Sequence, residues 1–430
     1  MVMNGKKKGV GQVLLRKIAA LADNIAHACP RWYLVLLTCL ALCGYACILL
    51  FPVLTLVGAG ILYDGFFGQG EVAGDGLMVW LLVVLLSAIT SYRLIRMRLP
   101  LPVGGRLTAV TSPRLFGLVR ELVSHYKRPG IDRIIVSGQY RLDVVKTPVW
   151  FLPVWSKNTL VIGLPVLQSL SPRSFRCAVA RRLGQFSRKG NMLGNWLYQL
   201  QDVWWQYLGA FSSVKGIAYQ PLRLLFSVYA PLYDAVSAPA MCRDELAADR
   251  YALETNDDWD LLEMICAEAV TRIFLERKYW PSIWHRVQLD PKTVPMPYSR
   301  MTPVLRARLY HGDLDRWLGM ATQPEARGDR SVPALRERIE NIGHMKCVLP
   351  RMPEKAAAGY FLGAGCKGIV SETDRRWYQS VINRKKRAGK RSGLQGAGSL
   401  LARMVRSLKK QHQDLCYEQL SSSLCSTIMR

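Results

Sequence analysis

Two apolar stretches dominate the pattern near the start of the chain. Residues 32–62 carry no charged side chain until Asp64, a run long enough to span a bilayer. Residues 77–92 form a second, shorter run, which reaches spanning length if Arg93 snorkels and Leu94 and Ile95 are counted. The intervening residues 63–76 hold Asp64, Glu71 and Asp75. Lys6, Lys7, Lys8, Arg16 and Lys17 precede the first run, and Arg93, Arg96 and Arg98 close the second. Basic residues at both outer ends and acidic ones between them place both ends in the cytoplasm and the loop outside. The first run is too long and starts too late for a signal peptide. The competing reading is a pair of buried core helices.

From residue 100 the pattern becomes that of a soluble domain. Ser112-Pro113 is a cap followed by proline at the first helical position, and Leu115, Leu118, Val119 and Leu122 follow helical spacing to about residue 127. Residues 131–136 and 159–162 read as short strands, with 142–145 a weaker one and 148–157 a turn region. Ser171-Pro172 repeats the cap signal and opens a helix to about residue 189, with Phe175, Val179, Leu183 and Phe186 on its apolar side. Residues 195–208 read as an aromatic-rich helix. Residues 222–236 are strongly apolar, fitting either a core helix or a membrane-dipping one. Helices follow over 243–250 and 258–277, then an irregular Trp/Pro-rich passage over 280–302, then helices over 303–319 and 333–342.

Composition adds one strong constraint. The 430 residues carry a formal charge of +27, which calls for acidic partners. Between Arg384 and Lys410 there are basic residues and glycines but no acid, the pattern of a flexible cationic tail. A basic cytoplasmic segment on a membrane-anchored chain lies close to anionic headgroups, so anionic lipid is the favoured partner. Nucleic acid is less favoured, because no recognised motif accompanies the charge. The 11 cysteines show no regular pairing pattern and read as reduced thiols. Cys39, Cys43 and Cys47 mark one helix face.

The chemistry centres on Arg181-Arg182-Leu183-Gly184-Gln185. Arg181 and Gln185 stand at the spacing of the two histidines of an H-E-x-x-H zinc helix, and Arg182 stands where its general base would be. Leu160-Val161-Ile162-Gly163-Leu164-Pro165 precedes this helix, and Arg243-Asp244-Glu245-Leu246-Ala247-Ala248-Asp249-Arg250 follows it. This order resembles the HtpX-type and CAAX-prenyl-protease-type membrane zinc metallopeptidases over roughly residues 105–345. In that family an Ile-Gly-Leu-Pro strand end precedes A-H-E-L-G-H-F. A later E-x-x-A-D supplies the third zinc ligand and a supporting aspartate. The resemblance therefore implies that Glu245 stands at the third-ligand position and Asp249 at the supporting one. It also pairs Val332-Pro333 and Arg338 with a His-Pro and an arginine five residues on, the histidine being replaced.

Arginine keeps its proton, so Arg181 cannot ligate zinc and Arg182 cannot act as a base. Gln185 offers a poor zinc ligand. The expected cofactor is therefore none, the family zinc having been lost. The guanidinium of Arg181 is expected to pair with Glu245, with Asp249 and Gln185 satisfying remaining groups; the competing reading leaves both on the solvated surface. A substitute metal set of Cys177, Cys242 and Glu245 is the weaker alternative to two core thiols. His285 and His311 read as a packed or surface residue and a helix end.

The expected fold is mainly α with a small β-sheet, a zincin-like metallopeptidase domain behind an N-terminal two-helix transmembrane hairpin. Its divisions are a basic cytoplasmic N-terminus (1–31), the hairpin (32–98), the peptidase-like domain (99–378) and the basic tail (379–430). The expected location is a bacterial inner membrane, multi-pass, with both termini cytoplasmic. Two functions are compatible: a pseudopeptidase that binds membrane or protein partners, or an active zinc endopeptidase acting on membrane or misfolded proteins.

Overall fold

A computed structural model describes residues 3–67, 74–96, 104–126, 130–148, 156–187, 192–213, 220–289, 295–323 and 332–392. Most of the turn region over 148–157 and the basic tail beyond Ser392 lie outside the described residues. In chain order the elements are α1 (Met3–Ala28), α2 (Pro30–Phe67), α3 (Gly74–Arg96), β1 (Gly105–Leu107), α4 (Pro113–His125), β2 (Arg133–Ser137), β3 (Leu142–Pro148) and β4 (Ser156–Gly163). Then come α5 (Leu164–Ser169), α6 (Pro172–Ser187), α7 (Met192–Ser213), α8 (Gln220–Leu253), α9 (Asp258–Phe274), α10 (Trp280–Leu289) and α11 (Pro297–Val304). α12 (Leu314–Thr322), α13 (Leu335–Asn341), α14 (Ala357–Leu362) and α15 (Cys366–Ser392) complete the chain. It is mainly α with one small mixed sheet.

The chain divides into two compact units. One comprises Met1–Leu101, Thr147–Lys157 and Trp196–Ser237; the other comprises Pro102–Lys146, Asn158–Asn195 and Ala238–Arg430. The first unit thus takes segments from inside the stretch that the sequence pattern assigns to one soluble domain.

In the first unit α2 and α3 pack as a hairpin, and both are long and apolar enough to cross a membrane. The Thr55 hydroxyl donates to Ser87 Oγ at 3.0 Å between them. Their outward faces expose Val53, Leu56 and Val57 on α2 and Met78, Val79, Leu82 and Leu85 on α3. Such a continuous apolar surface is rare on a soluble monomer. Around the other half of α2 the core is aromatic. Trp204 of α7 meets Tyr207, Phe226 and Tyr229 with ring centroids 6.0, 5.7 and 5.4 Å away. The Gln201 amide donates to Asp234, tying α7 to α8.

The second unit is built on the sheet, ordered β1-β2-β4-β3. β1 is antiparallel to β2, and β2 is parallel to β4 with Ile134 opposite Leu160 and Val136 opposite Ile162. β1 escapes sequence reading because three residues carry no period. α4 buries the four apolar residues that its spacing picks out. Ser112 precedes Pro113 as expected, but its side chain makes no capping hydrogen bond. The Ser171 hydroxyl does accept from Ser174 N, at 3.1 Å, and sets the start of α6. Phe175, Val179 and Leu183 on α6 and Leu261, Ile265 and Val270 on α9 share one core.

Three expectations are corrected. Residues 280–302 are not an irregular passage: α10 and α11 occupy most of the described part. Pro281 and Pro297 fall in first turns, where a missing N–H costs nothing, and Ile283, Val287 and Met301 are buried. The segments over 222–236 and 243–250 are parts of one helix, α8. The cationic stretch is not flexible from residue 379, since α15 runs on to Ser392. Lys and Arg are good helix formers, and Val381 on this helix is buried.

Candidate functional site

α6 carries Arg181, Arg182 and Gln185, and α8 carries Glu245 and Asp249 one turn apart. The two helices approach closely at Gly184: a Cβ there would lie 2.5 Å from Tyr251 Cβ. The absence of a side chain at Gly184 is thus a packing requirement of this contact.

Arg181 is 3% exposed and donates through Nη2 to Glu245 Oε2 and through Nε to Asp249 Oδ1, the latter at 2.6 Å. Arg182, its side chain only 16% exposed, donates through Nη1 to Glu245 Oε1 at 2.5 Å and to Gln185 Oε1 at 2.9 Å. Gln185 Nε2 reaches the same Glu245 oxygen at 3.5 Å. Asp249 is completely buried. Arg338 of α13 donates to both its oxygens through Nε and Nη2, each at 2.9 Å. Arg338 also reaches Glu268 of α9 at 3.4 Å, and Glu268 accepts from Arg272 at 3.2 Å. The result is an alternating chain, Arg182–Glu245–Arg181–Asp249–Arg338–Glu268–Arg272, across four helices.

Burial alone would raise the Glu245 carboxyl, but the guanidinium groups of Arg181 and Arg182 outweigh it and hold it far below the usual range. Burial likewise opposes ionisation of Glu268, and Arg338 with Arg272 brings it down to about 2. Asp143 of β3 behaves the same way: desolvation is overcome by Arg141, 2.8 Å away, and by Arg182. The network is a set of permanent charges, satisfied by one another.

A carboxylate whose folded pKa is depressed contributes stability that is full above its unfolded value and lost as pH falls through the folded one. The unfolded value for glutamate is 4.5. The urea midpoint of the detergent-solubilised chain is therefore expected to stay level above about pH 5. It should fall steadily between 4.5 and 2, as Glu268 and then Glu245 take up protons. A midpoint unchanged across that interval would contradict the network.

Zinc does not fit these residues. Glu245 is the one plausible donor among them, and both its oxygens are occupied by guanidinium groups. Cys177 is a core thiol, pushed up to about 12 by burial and by Asp260, whereas a ligand must be a thiolate. Cys242 is half-buried on α8. No cluster of three His, Cys, Asp or Glu side chains suited to a metal occurs among the described residues. His285 is exposed on α10, and exposed His311 ends a helical turn. Val332 and Pro333 lead into α13.

Sequence reasoning placed Arg181, Gln185, Glu245, Asp249 and Arg338 in one frame, and the structure brings them together. It treated Arg182 only as a lost base, and it missed Glu268 and Arg272. Their signal was available: an acid and a base at i,i+4 within a helix otherwise rich in Leu, Met, Ile and Val. No protein-family model, no curated protein and no solved structure matches this chain.

Proposed function

We propose that this chain is a membrane-anchored pseudopeptidase: a degenerate relative of the HtpX-type and CAAX-prenyl-protease-type metallopeptidases that binds membrane or protein partners without hydrolysing them. The observation that carries this reading is the double ion pair on Glu245. The residues at the first-histidine and general-base positions, Arg181 and Arg182, both point at the carboxylate in the third-ligand position. In the proposed lineage, positive charge once supplied by a metal is supplied by side chains. α2 and α3 anchor the chain, in this reading in a bacterial inner membrane with both ends cytoplasmic, and the basic C-terminal segment contacts anionic lipid.

The test is metal analysis and casein hydrolysis on the purified full chain. The expected result is no stoichiometric zinc and no cleavage above a heat-inactivated control. About one zinc per chain, together with chelator-sensitive cleavage, would sink the proposal, since ligand identity and count define a zinc site.

A further inference from the structure

The heights of α2, α3 and α8 within the first unit can be matched residue by residue. The Tyr33 hydroxyl donates to Val236 O at 2.8 Å, and the Tyr229 hydroxyl donates to Leu40 O at 2.6 Å. Seven residues along α2 thus correspond to seven residues back along α8, so the two run antiparallel. Gly44 allows the approach, since a Cβ there would lie 2.5 Å from the Tyr229 hydroxyl. Continuing the same register places Arg223 beside Ala46. On the other side Thr55 meets Ser87, and a Cβ on Gly58 would lie 2.4 Å from Val84. That antiparallel register places Arg96 at the height of Ala46 as well. Arg223 and Arg96 therefore lie at one level, where the apolar run of α3 ends.

The first turns of α8 then carry an unusual surface. Leu224, Leu225 and Val228 are 50%, 38% and 64% exposed, in a stretch without charge from Leu224 to Tyr233. By the register, they lie within about 8 Å of the Arg96 level, at 1.5 Å per residue. Their opposite face is fixed: Phe226 and Tyr229 are buried against Trp204.

We propose that the start of α8 is an interfacial anchor. Leu224, Leu225 and Val228 enter the boundary between headgroups and acyl chains, while Arg223, with Arg93 and Arg96, engages anionic phosphate headgroups. An apolar helix face flanked by basic residues binds an anionic bilayer surface in this way. The surface continues the level at which α3 leaves its apolar run, which favours lipid over a separate partner. Three side chains also fall far short of the ~800 Å² per partner of a standard stable interface. The inference rests on the reading that α2 and α3 span the bilayer.

The test uses the full chain in liposomes of phosphatidylethanolamine and phosphatidylglycerol. Photoreactive benzoylphenylalanine is placed singly at Leu225, at Val228, at Leu82 as the spanning control and at Val110, 91% exposed in the second unit, as the solvent control. Lipid adducts are expected at Leu225, Val228 and Leu82 and not at Val110. Arg223→Gln should lower the Val228 adduct about fivefold, the weight of one basic residue at an anionic surface. Adducts at Leu82 alone would overturn the anchor and leave the spanning reading standing. Absence of adducts at Leu82 as well would remove the spanning reading itself. Protein–protein adducts at Leu225 would overturn the anchor in favour of a second copy.

Discussion

Arg338→Met is expected to lower the stability of the folded chain by about 3 kcal/mol or more, the cost of removing one partner from a buried charge pair. Asp249 is wholly buried and takes both of its short fork contacts from Arg338. After the substitution only Arg181 remains to satisfy it. Glu268 loses a partner at the same time, retaining Arg272. Arg338→Lys should recover only part of the loss, because an ammonium cannot present two parallel donors to one carboxylate. Arg336 provides the internal control. It pairs with Glu340 on the same helix but is 80% exposed, and Arg336→Met should cost less than about 0.5 kcal/mol. Urea unfolding in detergent at neutral pH reads all three. A midpoint for Arg338→Met equal to that of Arg336→Met would show that the network is not structural.

What made this arrangement readable in the sequence was the order of short motifs, and what hid the rest was geometry that order does not encode. Glu245 and Asp249 share a face because they are four apart on a helix, so their joint orientation needs no structure. Arg181 and Arg182 are adjacent, and adjacent helical residues diverge by about 100°. Sequence reasoning therefore assigned them separate fates. Both nevertheless reach Glu245, because a guanidinium sits at the end of a long flexible stem. Glu268 is brought to Arg338 by the packing of α13 on α9, a tertiary event. The fold shows the same division. The apolar runs of α2 and α3 and the buried stripe of α4 were plain from periodicity. The continuity of α8 was not, because Pro231 and Pro239 read as breaks although the helix runs through both.

The network also explains why isolated reversal of one substitution would be uninformative. Glu245 and Asp249 share Arg181, and Asp249 and Glu268 share Arg338. Each charge is balanced by two neighbours, so single changes leave partial compensation and non-additive effects.

The triple substitution Arg181→His, Arg182→Glu and Gln185→His is therefore expected to produce the largest change of all. In the unmodified chain, four guanidiniums (Arg181, Arg182, Arg338 and Arg272) face three carboxylates (Glu245, Asp249 and Glu268). The variant leaves two guanidiniums against four carboxylates in the same buried region. With a chelator present, the loss should exceed about 5 kcal/mol, which reaches the lower end of the whole stability margin of a folded domain. Zinc should then restore stability where magnesium does not, because the new imidazoles and Glu245 would form a set of three nitrogen and oxygen donors. At free zinc 100-fold above its dissociation constant, the gain would be about 2.7 kcal/mol. Refolding yield against zinc concentration gives the same reading if the metal-free variant does not fold. Zinc-dependent recovery confined to the variant would establish that α6 and α8 keep the spacing of a zinc site after losing its ligands. Equal responses to zinc and magnesium would instead make the α6–α8 contact an ion-paired helix interface with no metal-binding ancestry.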